Sequence, residues 1–261
     1  METAISPFWS RQLQLGHPSW QPHLKNGLDA VHAANPSYLA NLERAHFLPT
    51  QDRIFAAFSQ AIDDVRYVLI GEGPYPREES ATGICFMDGG VDALWSADGL
   101  AKKLNRATSL RNFMKMLLVA EGLLDEALTT KEAVAKARHL GMQQQPPLIE
   151  RLAQLQENLF RQGFLLLNAS LVFRADVPPA QDAKAWLPFL RIVLSALAEK
   201  YENRNNEVKL VLWGKIAEQV HAMQESRLFG LIVAEHPYNL SFVTNKAMQE
   251  FFKPMRLLRT C

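Results

Sequence analysis

Four short apolar runs, each stopping at a residue that breaks a strand, limit what this chain can fold into. Val65-Arg66-Tyr67-Val68-Leu69-Ile70 runs into Gly71-Glu72-Gly73-Pro74. Phe164-Leu165-Leu166-Leu167 stops at Asn168, and Val208-Lys209-Leu210-Val211-Leu212-Trp213 stops at Gly214. Leu228-Phe229-Gly230-Leu231-Ile232-Val233 leads to Glu235-His236-Pro237. Runs this short, apolar and rich in branched side chains read as strands buried on both faces, as in parallel sheets. Helical patterns lie between them: Ser109 to Glu121, Thr130 to Leu140, Pro147 to Gln162, Trp186 to Tyr201 and Ile216 to Gln224. Strands alternating with helices imply right-handed crossovers. The expected fold is α/β, a three-layer doubly wound sandwich around a central, mainly parallel four-stranded sheet.

Ahead of the first strand, Trp9 to about Phe47 reads as short helices broken by Pro18, Pro22 and Pro36. Thr50 is placed to cap a further helix whose apolar members are Ile54, Phe55, Phe58 and Ile62. Hydrophobic residues make up 48% and charged residues 21%, enough apolar material for an ordinary core. Repeats and low-complexity linkers are absent, so residues 1–261 are expected to form a single domain, with 1–47 a helical region packed on it. Cys85 and Cys261 are too few for a metal or iron–sulfur cluster, and no cofactor or metal is expected. Cys85 reads as a small buried hydrophobe. The opening METAISPFWSRQLQ lacks the pattern of a signal peptide, and no run reaches the ~20 apolar residues of a membrane span. The chain is expected to be cytoplasmic, outside the membrane and monomeric.

In doubly wound sheets, ligands bind beyond the carboxyl ends of the strands. That rule gathers Glu72, Asn168 and His236, far apart in sequence, at one end of the sheet. Taken singly, each has an ordinary reading. Asn168 is also a turn-former, His236 a satisfied histidine before proline, and Phe86 a core aromatic. The net charge of +1 gives no general signal for nucleic acid, although a local patch suffices for phosphate contacts. Lys102, Lys103, Arg106, Arg111 and Lys115 form a grouping that reads first as a solvated helix face.

Four segments together resemble uracil-DNA glycosylases, especially the family 1 type, in the same order over roughly residues 48–245. Gly71-Glu72-Gly73-Pro74-Tyr75 resembles the water-activating loop G-Q-D-P-Y-H. Gly83-Ile84-Cys85-Phe86 is similar to G-L-A-F, whose Phe stacks on the base. Leu165-Leu166-Leu167-Asn168 is similar to L-L-L-N, whose Asn reads the base edge. His236-Pro237-Tyr238-Asn239-Leu240-Ser241 resembles H-P-S-P-L-S, the DNA-intercalation loop. Thr108-Ser109-Leu110-Arg111-Asn112 and Val211-Leu212-Trp213-Gly214 are weaker echoes of P-S-L-x-N and L-L-W-G.

The resemblance implies a DNA glycosylase of base-excision repair that flips uracil or another altered base into a pocket and hydrolyses its N-glycosidic bond. It assigns base binding to Glu72, Gly73, Tyr75, Phe86 and Asn168. Tyr75 would exclude the 5-methyl of thymine. Catalysis falls to His236, donating to the leaving base, and to Glu72. DNA contacts fall to Pro74, Ser109, Ser170, Leu240 as the wedge, and Ser241; Arg174 and Lys246 are nearby basic candidates. DNA, single- or double-stranded, is the expected partner. The pattern departs at Gly73, where family 1 has the water-positioning aspartate. Here the loop is instead similar to the G-E-G-P or G-E-A-P of family 4, whose cluster cysteines this chain lacks. Adjacent residues leaving a strand point to opposite sides, so Glu72 is no simple replacement; Glu78, Glu79 and Asp88 are the other local carboxylates. Pro76 replaces the His of P-Y-H, and Tyr238-Asn239 replaces Ser-Pro. The alternative is a weak or inactive DNA- or base-binding member. A nucleoside enzyme is disfavoured because G-x-G-x-x-G and a phosphate-loop lysine are missing.

Overall fold

The computed structural model describes residues 6–201 and 208–260; Cys261 lies outside them. In chain order the helices are α1 (Pro7–Leu13), α2 (Gln21–Ala34), α3 (Tyr38–Leu42), α4 (Lys102–Arg106), α5 (Thr108–Ala120), α6 (Lys131–Met142), α7 (Leu152–Arg161), α8 (Pro179–Tyr201), α9 (Ile216–His221) and α10 (Lys246–Phe252). The strands are β1 (Tyr67–Gly71), β2 (Trp95–Ser96), β3 (Gly99–Leu100), β4 (Phe164–Asn168), β5 (Lys209–Trp213) and β6 (Gly230–Ala234). The chain divides into two compact units. The first comprises the chain up to Asp88, Gly163–Leu212 and Ile216–Ile232. The second comprises Gly89–Gln162, Trp213–Lys215 and the chain from Val233 on.

Among the described residues, the four apolar runs form one sheet in the order β4-β1-β5-β6. β1 pairs in parallel with β4, Tyr67 opposite Phe164 and Gly71 opposite Asn168. On its other side β1 pairs in parallel with β5, from Tyr67–Lys209 to Ile70–Leu212. The α/β class and the parallel central sheet are as the patterning implies. β4 is buried throughout, since neighbours cover both faces. β6 differs from the expected buried strand. It is an edge strand, mostly half-exposed, and Leu228 falls outside it in an exposed 3-10 turn. The chain runs from β1 to β4 on one side, then back past β1 to β5 on the other. In doubly wound sheets ligands bind beyond the carboxyl end of the strand where the order reverses.

In the first unit the segment before Phe47 folds into α1, α2 and α3, and α2 packs along α8. Trp20, Leu24 and Val31 join Trp186, Phe189 and Val193, with Val68, Ile70, Leu165 and Leu167 of the sheet. The helix expected after Thr50 is not formed as such. Asp52 lies in the left-handed region, and 3-10 turns span Arg53–Phe58 and Ile62–Asp64. Ile54, Phe55, Ala57 and Phe58 are all buried. Gln12 binds both Asp52 and the Ile54 amide, replacing the expected Thr50 cap. α8 starts at Pro179, earlier than its apolar pattern indicates, and carries Pro188 within it.

In the second unit α5 packs against α10, with Phe113 5.1 Å from Phe252 and 5.6 Å from Trp213. The helix expected over Pro147 to Gln162 is confined to α7. Its first residues pair elsewhere: Leu148 bridges Arg259, Ala93 bridges Arg151, and Ile149 donates to Leu258 O. A backbone committed to these bridges cannot make helical bonds. Among the described residues no helix is long and apolar enough to cross a membrane.

A buried polar cluster ties the first unit together. Asp182 accepts from Tyr38 Oη at 2.7 Å and from Arg174 Nη2 at 2.7 Å and Nε at 3.1 Å. Arg174 also lies over the Tyr38 ring, 5.7 Å from its centre. Arg174 is therefore directed inward, not outward as a phosphate contact requires. Its hydrogen bond to Asp182 holds the guanidinium above its ordinary range, and burial pushes the Tyr38 hydroxyl upward. Removing one partner of a buried pair leaves an uncompensated charge, typically costing about 3–5 kcal/mol. Asp182→Ala is expected to lower the urea midpoint by that order. A midpoint shift equivalent to less than about 1 kcal/mol would show that Arg174 finds water instead.

Candidate active site

In the first unit the site grows from the shared end of β1 and β4. Their ladder continues past the strands: Ala169 N donates to Gly71 O at 2.8 Å, and Ser170 N to Glu72 O at 3.0 Å. Asn168 is 5% exposed and held level with Gly71. A Cβ on Gly71 would lie 2.5 Å from Cys85 Sγ and 3.2 Å from Asn168 Oδ1. Glycine here thus leaves the space in which the Asn168 oxygen sits. A third segment is tied to the same place, because Cys85 N donates to Leu166 O at 3.0 Å.

Phe86 follows Cys85 and is half-buried, unlike a core phenylalanine. Its φ of 69° puts a bulky residue in the left-handed region, at a cost of about 1–3 kcal/mol. Such strain persists only where surrounding contacts impose it. Tyr75 Oη donates to Phe86 O at 3.4 Å, joining the two aromatics. Burial, then Cys85 and Asp88, push the Tyr75 hydroxyl above its ordinary range, so it stays a neutral donor.

The local carboxylates are placed differently. Glu72 is exposed, and so are Glu78 and Glu79, with Glu78 accepting from Thr50. Asp88 is buried and pairs with Arg77 at 3.4 Å. Gly73 is exposed, and Pro74 half-buried. A Cβ on Gly73 would meet Ser170 Cβ at 3.5 Å, an ordinary contact. Ser170 is buried, and its hydroxyl donates to Val172 O at 2.8 Å. In this arrangement it turns inward, away from the phosphate role expected of it.

The second unit holds the other expected residues. His236 follows β6, and its Cβ lies 2.8 Å from where a Cβ on Gly214 would be. Gly214 also has φ of 71°, so both backbone and His236 require glycine there. The Tyr238 amide donates to His236 Nδ1 at 3.1 Å. A nitrogen that accepts is unprotonated, which leaves the ring proton on Nε2. In the neutral ring this bond sets the tautomer that carries the proton on Nε2. Asn112 of α5 is fully buried, and its Nδ2 donates to Pro237 O at 2.8 Å, with Tyr238 O and Asn239 O each at 3.3 Å. Leu240 and Ser241 are exposed at the start of a 3-10 turn anchored by buried Phe242 and Val243. Ser109 is half-buried in the first turn of α5, which begins without a side-chain cap or an acidic residue. Lys102, Lys103 and Arg106 are exposed on α4, whereas Lys246 pairs with Glu126.

No family model matches the chain. A uracil-DNA glycosylase of Corynebacterium glutamicum is 30% identical over 209 residues, which cover 78% of this chain and 73% of that protein. The chain belongs to the uracil-DNA glycosylase family. The uracil-DNA glycosylase of Streptococcus mutans is 25% identical over 228 residues, 86% of this chain and 85% of that protein. The crystal structure of wild-type UNG from Nitratifractor salsuginis superposes with a TM-score of 0.87 at 35% identity, covering 99% of this chain and 100% of that one.

Two features of this uracil-DNA glycosylase family member escaped sequence reasoning. Asn112 was visible only as part of a motif, yet it anchors the His236 loop. The available signal was an amide lying directly before apolar Phe113 and Met114, since a buried amide demands partners. The packing of Cys85 over Gly71 had no signal. Burial pushes the Cys85 thiol up to about 12. At pH 8 about one thiol in ten thousand is then ionised. Native Cys85 is expected to resist iodoacetamide at that pH and to react once urea unfolds the chain, as read by peptide mass spectrometry. Rapid native labelling of Cys85 would show that the site opens. The sign for stability follows: the neutral thiol favours the fold below the ordinary thiol value of 9.0, a contribution lost as pH rises toward about 12.

Proposed function

We propose that this family member is a DNA glycosylase of base-excision repair, which flips a uracil or other altered base from DNA and hydrolyses its N-glycosidic bond. The observation that carries this reading is the Asn168 amide, buried and register-locked beside Gly71 at a strand end. An amide offers one acceptor and two donors, matching the alternating edge of uracil. Extracting the base costs a few kcal/mol in lost stacking. Phe86, imposed in its strained backbone, is the stacking platform, worth about 1–3 kcal/mol per base. Tyr75, bonded to the Phe86 carbonyl, is the gate against a 5-methyl group.

The base leaves as an anion, so catalysis needs a fixed donor where charge develops. His236 is assigned that role through Nε2–H, with Nδ1 already occupied by the Tyr238 amide. A neutral donor of set tautomer requires no proton transfer to become competent. Glu72, exposed beside Gly73, is assigned to orient the water, because Asp88 is engaged with Arg77. Leu240 fills the gap left by the flipped nucleotide. Ser109 and the uncapped start of α5 favour a phosphate, and Pro74 and Ser241 complete the contacts. Ser170 shapes the loop that faces Gly73.

The test is a panel of oligonucleotides carrying uracil, hypoxanthine, xanthine or substituted pyrimidines, scored for alkali-labile breaks. Uracil is expected to be released, and Asn168→Ala or His236→Ala to lose at least 10²-fold, the order for removing one preorganised donor. An enzyme that releases none of these bases at micromolar concentration is no glycosylase. The second test is Gly73→Asp. A positioned base contributes roughly 10²–10⁴-fold, and Gly73 has room for the new side chain. The variant is expected to cleave faster than wild type, and Glu72→Gln slower. An unchanged rate in both variants would mean that water is oriented by another group.

A further inference from the structure

The loop bearing His236 and Leu240 presents a second large apolar side chain. Tyr238 is 67% exposed and Leu240 64% exposed, two residues apart. Their backbone is held firmly: the Asn112 amide reaches the carbonyls of Pro237, Tyr238 and Asn239. The Tyr238 amide is on His236 Nδ1, and Asn239 N donates to His236 O at 2.9 Å. Buried Pro237 precedes the pair, and buried Phe242 and Val243 follow it. The fold thus fixes the main chain and leaves two apolar side chains in water, forgoing the stabilisation that their burial would bring. Side chains arranged in this way mark a contact surface. A flat ring with a polar tip beside an aliphatic wedge suits the face of a nucleobase, since every base has one.

Resting on the glycosylase reading, we infer that Tyr238 is a second DNA-contacting side chain, which stacks on a base neighbouring the flipped nucleotide while Leu240 fills the gap. The contact reads no base edge. Its effect is therefore the same whichever altered base is excised.

The experiment uses the full chain and a duplex carrying a tetrahydrofuran abasic-site analogue, with 2-aminopurine on either side of it. Wild type is expected to quench the aminopurine on one side. Tyr238→Ala is expected to bind about tenfold more weakly and to lose that quenching. Tyr238→Phe keeps the ring and is expected to stay within about twofold of wild type with the quenching intact. Both variants retain the backbone amide on His236, so the change isolates the ring. Equal binding and quenching by Tyr238→Ala overturn the inference. A wild-type chain that quenches yet releases no base from the oligonucleotide panel removes the glycosylase reading and leaves the Tyr238 contact standing. A chain that releases uracil while Tyr238→Ala behaves as wild type removes only the Tyr238 contact. A wild-type chain that does not bind the duplex overturns the Tyr238 contact, and one that also releases no base from the panel overturns both.

Discussion

The parallel pairing of β1 with β4 is the interaction on which the first unit's site depends. It sets Gly71 level with Asn168, and two further amides carry the ladder into the loops beyond. Three chain segments meet there, those of Gly71, Cys85 and Asn168, although they are widely separated in sequence. A slip of one residue would turn every side chain to the opposite face and remove the Asn168 oxygen from the space over Gly71. The apolar contacts of Leu165, Leu167, Val68 and Ile70 beneath oppose such a slip, because it would exchange side chains between two closely packed faces. Precision at the polar end of the strands is thus inherited from packing along their length.

The second unit obtains the same result by a different route. No ladder holds the His236 loop; a buried amide does. Asn112 reaches three successive carbonyls, and leaving those acceptors unpaired would carry a desolvation penalty of about 1–3 kcal/mol for each buried group. The loop so held presents the Tyr238 amide to His236 and decides which ring nitrogen bears the proton. A donor fixed in this way needs no reorganisation when charge develops opposite it. Positioning of the imidazole, its tautomer and the exposure of Leu240 all trace to one asparagine on a neighbouring helix.

Much of this was legible in the sequence, and the limits have physical causes. Strands were legible because burial on both faces demands unbroken apolar runs, and each run ended where its loop began. β6 is less buried than its composition implies, since of two edge strands of similar composition only β4 is covered on both faces, and local pattern does not show which. The helix after Thr50 failed because Gln12, distant in sequence, supplies the local hydrogen bonds. The residues before α7 went to bridges with the C-terminal segment, a choice invisible to local pattern. Motif order singled out Asn168, Phe86 and His236 as candidates; Asn168 ends β4, and His236 lies in the loop after β6. The inward turn of Arg174 and Ser170 was not, because a side chain's partner depends on tertiary placement. Arg174 has Asp182 eight residues away, and nothing in that spacing distinguishes a buried pair from two solvated charges.

Gly73 differs in kind from the other glycines of the site. Gly71 is required by close approach, and Gly214 by both its backbone angle and the His236 Cβ. Gly73 has neither constraint: its φ lies outside the left-handed region and the nearest atoms stand at ordinary contact distance. Packing and backbone geometry would therefore accept a side chain, and glycine there is not a steric necessity of the fold. Glycine there leaves the loop without a side chain beside Glu72, while Asn168 and the β1–β4 ladder are held by contacts of their own. The placement of Asn168 and the identity of residue 73 are thus separable in this molecule. The first rests on a strand register held by core packing, whereas the second is one exposed loop position that the core leaves unconstrained.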